Sequence, residues 1–240
     1  MTSATKDLPQ PAIPAEPQSP WPGVDALERY TTPERVARID RVLRQRLASV
    51  TAVFEDVHDP HNLAACLRTC EGYGLQRLHL IDQHHPGRRR STVAKSADQW
   101  LDLRHHASTA AAILELREAG FSIWVSDLQA SAALPSLPLD AKVAIVVGNA
   151  KNGISEAMRA AADRRYILPM HGMVQSYNLS VALAVSLEQV VPRRRAELGG
   201  GGDLTLTEMW ALRQRWLEFG QRHPDALRRA SGDGTGPEIP

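Results

Sequence analysis

Residues 168–190 read LPMHGMVQSYNLSVALAVSLEQV, and the change of character within them decides how the chain is read. Pro169 and Gly172, set among small and polar neighbours, exclude a long strand or helix from the first half. Leu179, Ala182, Leu183, Val185 and Val190 then recur at helical spacing. The junction Gln175-Ser176-Tyr177-Asn178 is therefore a loop feeding a buried helix. Such a junction leaves backbone N–H groups without intrahelical acceptors and sets short polar side chains beside them. Taken alone, Ser176 or Asn178 is an ordinary N-cap.

Upstream of this stretch, strands and helices alternate. Residues 51–54 read as a short buried strand, followed by turn formers and a helix that starts near Asn62 and runs to Gly72. Strands are expected at 78–81, 121–125, 142–147 and 166–168, with helices at 108–119 and from Ser155 through Ala162. This alternation points to a parallel α/β sheet. Segment 84–95 is too polar for a core element and reads as a loop. Before the core, 1–30 is a Pro-rich tail expected to be disordered, and 31–50 holds a helix with Thr32 as N-cap and its arginines facing outward. The core spans 51–196. Glycines at 199–202 break the chain, a capping box at Thr205–Glu208 opens a helical extension over 203–229, and 230–240 reads as a second disordered tail.

Apolar residues make up 43% and charged residues 23%, the balance of a water-soluble globular protein. No apolar run is long enough to cross a bilayer and no secretory pattern opens the sequence, so neither a membrane partner nor export is expected. Two cysteines provide no disulfide framework, which fits a reducing cytoplasm. Cys66 and Cys70, with His58 and His61 nearby, match no known ligand spacing, so no metal is expected. Net charge is only +1, but basic residues cluster at 35–46, at 84–95 and at 193–195, where they could meet phosphates.

Three stretches resemble the ordered motifs of the SPOUT family, in its TrmH-type branch. Leu168, Pro169, Met170, Gly172, Ser176, Asn178, Ser180 and Ala182 fit the third motif, close to I-P-M-x-G-x-x-x-S-L-N-V-S-x-A. Asn62, Arg68 and Thr69 fit the first, N-x-x-x-x-x-R-T. Gly148, Gly153, Ile154 and Ser155 fit the second, G-x-E-x-x-G-[IVL]-S, although Ala150 stands where the family has glutamate. The resemblance implies an α/β-knot fold: a parallel sheet with helices on both faces, a C-terminal trefoil knot, and flanking N- and C-terminal helices. It also implies a homodimer that binds S-adenosyl-L-methionine and methylates a ribose 2'-OH, with a guanosine in tRNA as the expected target and ribosomal RNA as the alternative.

By the same resemblance, Arg68, Asn62, Ser176 and Asn178 are the catalytic set, with Ser176 and Asn178 beside Arg68 of the partner subunit. Asn62 is expected to help hold Arg68. Ser126, Leu128, Gly148, Leu168, Met170, Ser176 and Tyr177 would line the donor pocket, and Arg38, Arg41, Arg88, Arg89, Arg90 and Lys95 would contact RNA. The chemistry gives the arginine a purpose, because a ribose hydroxyl is a poor nucleophile. A guanidinium could stabilise charge developing on the oxygen, or act as a base with strong help from its surroundings. Ala150 keeps a further reading open, an RNA-binding relative with weakened catalysis.

Overall fold

The computed structural model describes residues 21–82, 97–149, 152–219, 221 and 223–230. Its strands are β1 (Val50–Glu55), β2 (Arg77–Ile81), β3 (Asp102–His106), β4 (Ser122–Ser126), β5 (Val143–Val147) and β6 (Arg164–Tyr166). They form one sheet in the order β3-β2-β1-β5-β4-β6, and every pairing is parallel. The expected parallel α/β architecture is therefore present. Central strands β1 and β5 are near-continuous apolar runs because both faces of the sheet are covered. Phe54 of β1 lies in register with Leu80 on one side and Val147 on the other.

The helices are α1 (Pro33–Leu43), α2 (Pro60–Tyr73), α3 (Thr109–Glu118), α4 (Glu156–Ala161), α5 (Leu179–Glu197), α6 (Leu206–Glu218) and α7 (Pro224–Ala230). On one face, α2 and α5 pack over the sheet through Leu63, Leu67, Leu183, Leu187 and Val190. On the other, Ala112 and Leu116 of α3 and Met158 of α4 close a second core with Val53, Ile123 and Val146. A third cluster joins α1 to α6 through Ile39, Leu43, Leu212 and Trp216. Among the described residues no helix is long and apolar enough to cross a membrane.

Several sequence expectations shift. Residues 26–30, assigned above to the tail, form a capped 3-10 helix whose Leu27 is buried in the third cluster. Trp21 packs there too, so apolar anchors outweigh the prolines around them. Strand β3 was not foreseen: DLRHH offers little apolar alternation, and it survives at the sheet edge by pairing with β2 alone. The last strand lies at 164–166 rather than 166–168, since Ile167 leaves the sheet for a single bridge to Ala133. Helix α5 continues through Pro192 to Glu197, where burial of Val190, Val191 and Arg194 outweighs the lost backbone bond.

The basic clusters are also partly structural. Arg46 is buried and donates to the carbonyl of Leu75 and the carboxylate of Glu71. Arg193 donates to the Leu137 carbonyl, Arg194 to the Asp140 carbonyl, and Arg195 to the carbonyls of Gln45 and Tyr73. Arg193, Arg194 and Arg195 tie α5 to neighbouring segments, and Arg46 ties the segment before β1 to the end of α2. They are not a surface patch.

Candidate active site

The chain begins in the sheet at β1, moves outward to β2 and β3, then crosses to β4 and back to β5 beside β1. The order reverses between β1 and β5, and in such sheets ligands bind beyond the carboxyl ends of the strands at that point. A cleft of about 210 Å³ lies there, lined by Glu55, Asp56, His58, Asn149, Asn152 and Ser155 among others.

The turn after β5 is tightly folded. Asn149 and Gly153 exchange backbone hydrogen bonds of 2.9 and 2.8 Å, and a Cβ on Gly148 would collide with the backbone of Gly153 and Ile154. That close approach is why glycine is needed at 148. Ala150 lies outside the described residues, as do Arg88, Arg89, Arg90 and Lys95.

Two helix N-termini meet beside this cleft. Asp59 caps α2 with Pro60 at its first position, so the helix starts two residues before the expected Asn62; the Asp-Pro pair was the missed signal. Asn178 caps α5, its Oδ1 accepting from the Ser180 N–H at 2.9 Å and the Ser180 hydroxyl at 2.7 Å. Its Nδ2 donates to Asn62 Oδ1 at 3.1 Å, and Asn62 Nδ2 donates to Asp59 Oδ2 at 3.0 Å. A continuous relay therefore runs Ser180–Asn178–Asn62–Asp59. First-motif and third-motif asparagines, 116 positions apart in sequence, are joined directly.

Arg68 is placed differently from the expectation that Asn62 holds it. Six residues separate the two on α2, which at 1.5 Å and 100° per residue is about 9 Å along the axis and on another side of the helix. Arg68 is exposed, and no described side chain or carbonyl forms a hydrogen bond or ion pair with it. Its guanidinium is available to a substrate or a second subunit.

The remaining expected residues surround the loop 167–178. Ser126 ends β4 opposite Tyr166, and Leu128 is 62% exposed just beyond it. Between them lies Asp127, which the sequence reading passed over. Burial opposes its ionisation, yet the Gln129 N–H and the Arg165 and Arg159 guanidinium groups outweigh that and hold its carboxyl below the ordinary value. Leu168 is buried, Met170 half-buried, and Ser176 and Tyr177 exposed. Among the described residues, no backbone N–H from Leu168 to Tyr177 finds a backbone acceptor. Arg38 and Arg41 lie exposed on α1.

Two other groupings bear on metal chemistry. Burial pushes the Cys66 thiol up to about 12 and the Cys70 thiol upward too, which disfavours the thiolate a metal needs. His79 and His106 are buried and stacked, with Nδ1 and Nε2 facing at 2.9 Å. Glu115 approaches the other nitrogen of His106, Nδ1, at 3.7 Å. One donor atom from each of the three lies within 4.8 Å of the others, close enough to share a cation, although His79 Nδ1 and His106 Nε2 already face each other at hydrogen-bond distance.

Comparison with known proteins agrees with this geometry. The sequence model described as the SpoU rRNA Methylase family matches residues 49–188. A tRNA (guanosine(18)-2'-O)-methyltransferase of Thermus thermophilus is 36% identical over 172 residues, covering 71% of this chain and 88% of the relative. Its counterpart in Borreliella burgdorferi is 34% identical over 173 residues, covering 72% and 79%. The crystal structure of the A. aeolicus TrmH/SpoU tRNA modifying enzyme superposes with a TM-score of 0.68 at 26% identity, covering 80% of this chain and 96% of that one.

Proposed function

The chain belongs to the SpoU rRNA Methylase family, and from that premise we propose that it methylates the ribose 2'-OH of a guanosine in tRNA, using S-adenosyl-L-methionine. The observation that carries this reading is the hydrogen bond between Asn178 and Asn62, which brings the first and third motifs together. The exposed, unpaired Arg68 guanidinium lies on the same helix as Asn62.

The chain's own groups suit the methyl donor. Unsatisfied backbone N–H groups across 168–177, with Leu168 buried among them, are what the edge of an adenine or a carboxylate would engage. Ser126, Leu128 and Gly148 border the same loop end of the sheet, and Ser176 and Tyr177 complete the lining. When bound, S-adenosyl-L-methionine supplies a methyl group that its sulfonium already makes electrophilic. The protein's part is then alignment of the ribose and activation of its hydroxyl. Arg68 stabilises negative charge as it grows on the oxygen, the electrostatic role favoured by a cationic guanidinium. Asn62 and Asn178 fix the relative position of the two helix N-termini around the ribose, with Ser176 beside them.

A homodimer and a knot complete the arrangement. Met173 and Val174 are 100% and 65% exposed, and Tyr177, Val181 and Val185 are exposed at four-residue intervals. That apolar stripe along α5 suits a partner subunit, which would bring its Arg68 to Asn178. The knot is supported by the path of the chain. After β6 it passes Ala132–Ala133, bonding the Ile167 N–H to the Ala132 carbonyl, and α5 then returns to pack on α2. Arg38 and Arg41 on α1 offer cations to the tRNA backbone.

The test is transfer of labelled methyl from S-adenosyl-L-methionine to unmodified tRNA, followed by alkaline hydrolysis. Ribose methylation leaves one phosphodiester resistant to alkali. Arg68→Ala should abolish the resistant product while leaving the melting temperature within about 1 °C, as for an exposed side chain without partners. Wild-type protein that binds tRNA but transfers nothing, with transfer appearing in Ala150→Glu, would establish instead the binding-only relative that Ala150 raises.

A further inference from the structure

Glu55, the last residue of β1, is 2% exposed, and among the described residues its carboxylate is met by uncharged donors. Oε1 accepts from the Thr109 hydroxyl at 2.5 Å and the Ser155 hydroxyl at 2.7 Å, and Oε2 accepts from the Ser155 N–H at 2.8 Å. A buried carboxylate without a cation is unfavourable unless hydrogen bonds compensate it, and an apolar residue would pack at the end of a central strand without that cost. What the carboxylate gains is attachment of two other segments to β1.

The more informative of these is the turn after β5. Ser155 ends it and caps α4, its Oγ accepting from the Met158 N–H at 3.1 Å while donating to Glu55. The other end is held one residue along: Asn149 Nδ2 donates to the Asp56 carbonyl at 2.8 Å. Asp56 has φ +48, a left-handed conformation at the point where β1 ends. Glu55, the last residue of β1, and Asp56 just after it therefore hold the two ends of this turn, and Gly148 and Gly153 make a close backbone approach within it.

We propose that Glu55 is a positioning residue that clamps the two ends of the turn after β5, at 148–149 and 152–155, where they border the methyl donor; this rests on reading that turn as part of the donor pocket. Glu55→Gln tests it. The glutamine fills the same space but has no charge and one acceptor oxygen: with that oxygen on the Ser155 N–H, its amide NH2 faces the two hydroxyls, which lose their acceptor and must accept instead.

The measurement is calorimetric binding of S-adenosylhomocysteine to the full chain, with tRNA affinity and melting temperature in parallel. Glu55→Gln should raise the Kd for S-adenosylhomocysteine by about tenfold or more, the effect of losing a charge-assisted hydrogen bond. Affinity for tRNA should hold, and in turnover the donor KM should rise while kcat at saturating donor stays within about twofold, the mark of lost donor binding. Unchanged donor affinity in Glu55→Gln overturns the proposal. Wild-type protein that fails to bind S-adenosylhomocysteine overturns the donor-pocket reading itself, a separate result. Should Glu55→Gln fail to fold, Ser155→Ala and Thr109→Val decide the matter. The clamp requires weaker donor binding from the first and near wild-type binding from the second; equal effects would make Glu55 a packing residue only.

Discussion

Replacing Asn178 separates its two jobs. In Asn178→Ala, α5 loses its N-cap, worth about 1 kcal/mol, and the bond to Asn62, worth about 0.5–1 kcal/mol at an exposed site. For a chain of this size each kcal/mol moves the melting temperature by about 2–4 °C, so a fall of about 5 °C is expected. Asn178→Asp keeps the cap, because a carboxylate oxygen still accepts from Ser180, and the helix N-terminus favours the added charge. It should melt within about 2 °C of wild type. Yet the new carboxylate faces Asn62 Oδ1, and Asn62 cannot turn over without setting its own oxygen against Asp59. The relay is broken in either orientation. Methyl transfer should therefore fall by about a hundredfold, the scale of a small misplacement of reacting groups, while stability is kept. Melting curves and single-turnover transfer on the same samples make the comparison. Full activity in Asn178→Asp would refute the claim that the Asn62 contact orders the site.

Other outcomes follow from local geometry. Gly148→Ala puts a methyl group into the Gly153 backbone, so it should disrupt loop 148–155 and lower both melting temperature and donor affinity. Burial, with His106 and two arginines nearby, pushes the His79 imidazole down to about 4, and burial likewise lowers His106. Both therefore bind protons more readily in the unfolded chain. Stability should hold above about pH 6.5 and decline as pH falls toward 4, which urea unfolding across that window measures. His79→Phe should flatten the decline; an unchanged slope would place the acid sensitivity elsewhere. Arg38→Ala with Arg41→Ala should weaken tRNA binding and reduce the salt slope by about 2, which filter binding at several salt concentrations would detect.

Much of this was legible in the chain. The parallel sheet followed from alternating strands and helices, and β5 from an unbroken VAIVV run. Edge strands were the weak point. DLRHH and RRY are polar because they are paired on one side only, so their pattern carries little signal. The site split in a similar way. Asn62, Asn178 and Arg68 stood out through motif spacing, but their relation did not. Only the fold sets Asn62 against Asn178, with Arg68 on another side of α2 from Asn62. Glu55 and Asp127 were missed because their importance lies in which distant donors meet them, and no local pattern encodes that. Basic clusters misled for the same reason: Arg46 and Arg193–Arg195 have the composition of a nucleic-acid patch and the contacts of structural ties.

In the proposed homodimer, Arg68 of one subunit and Asn178 of the other act on the same ribose. Mixing the Arg68→Ala and Asn178→Asp variants, each impaired alone, under conditions that would exchange subunits of the proposed dimer measures this directly. In a mixed dimer one site collects both lesions and the other collects neither, so transfer to tRNA should reappear at up to half the wild-type rate per mixed dimer. If each subunit instead completes its own site, both sites stay damaged, and no activity would return at any mixing ratio.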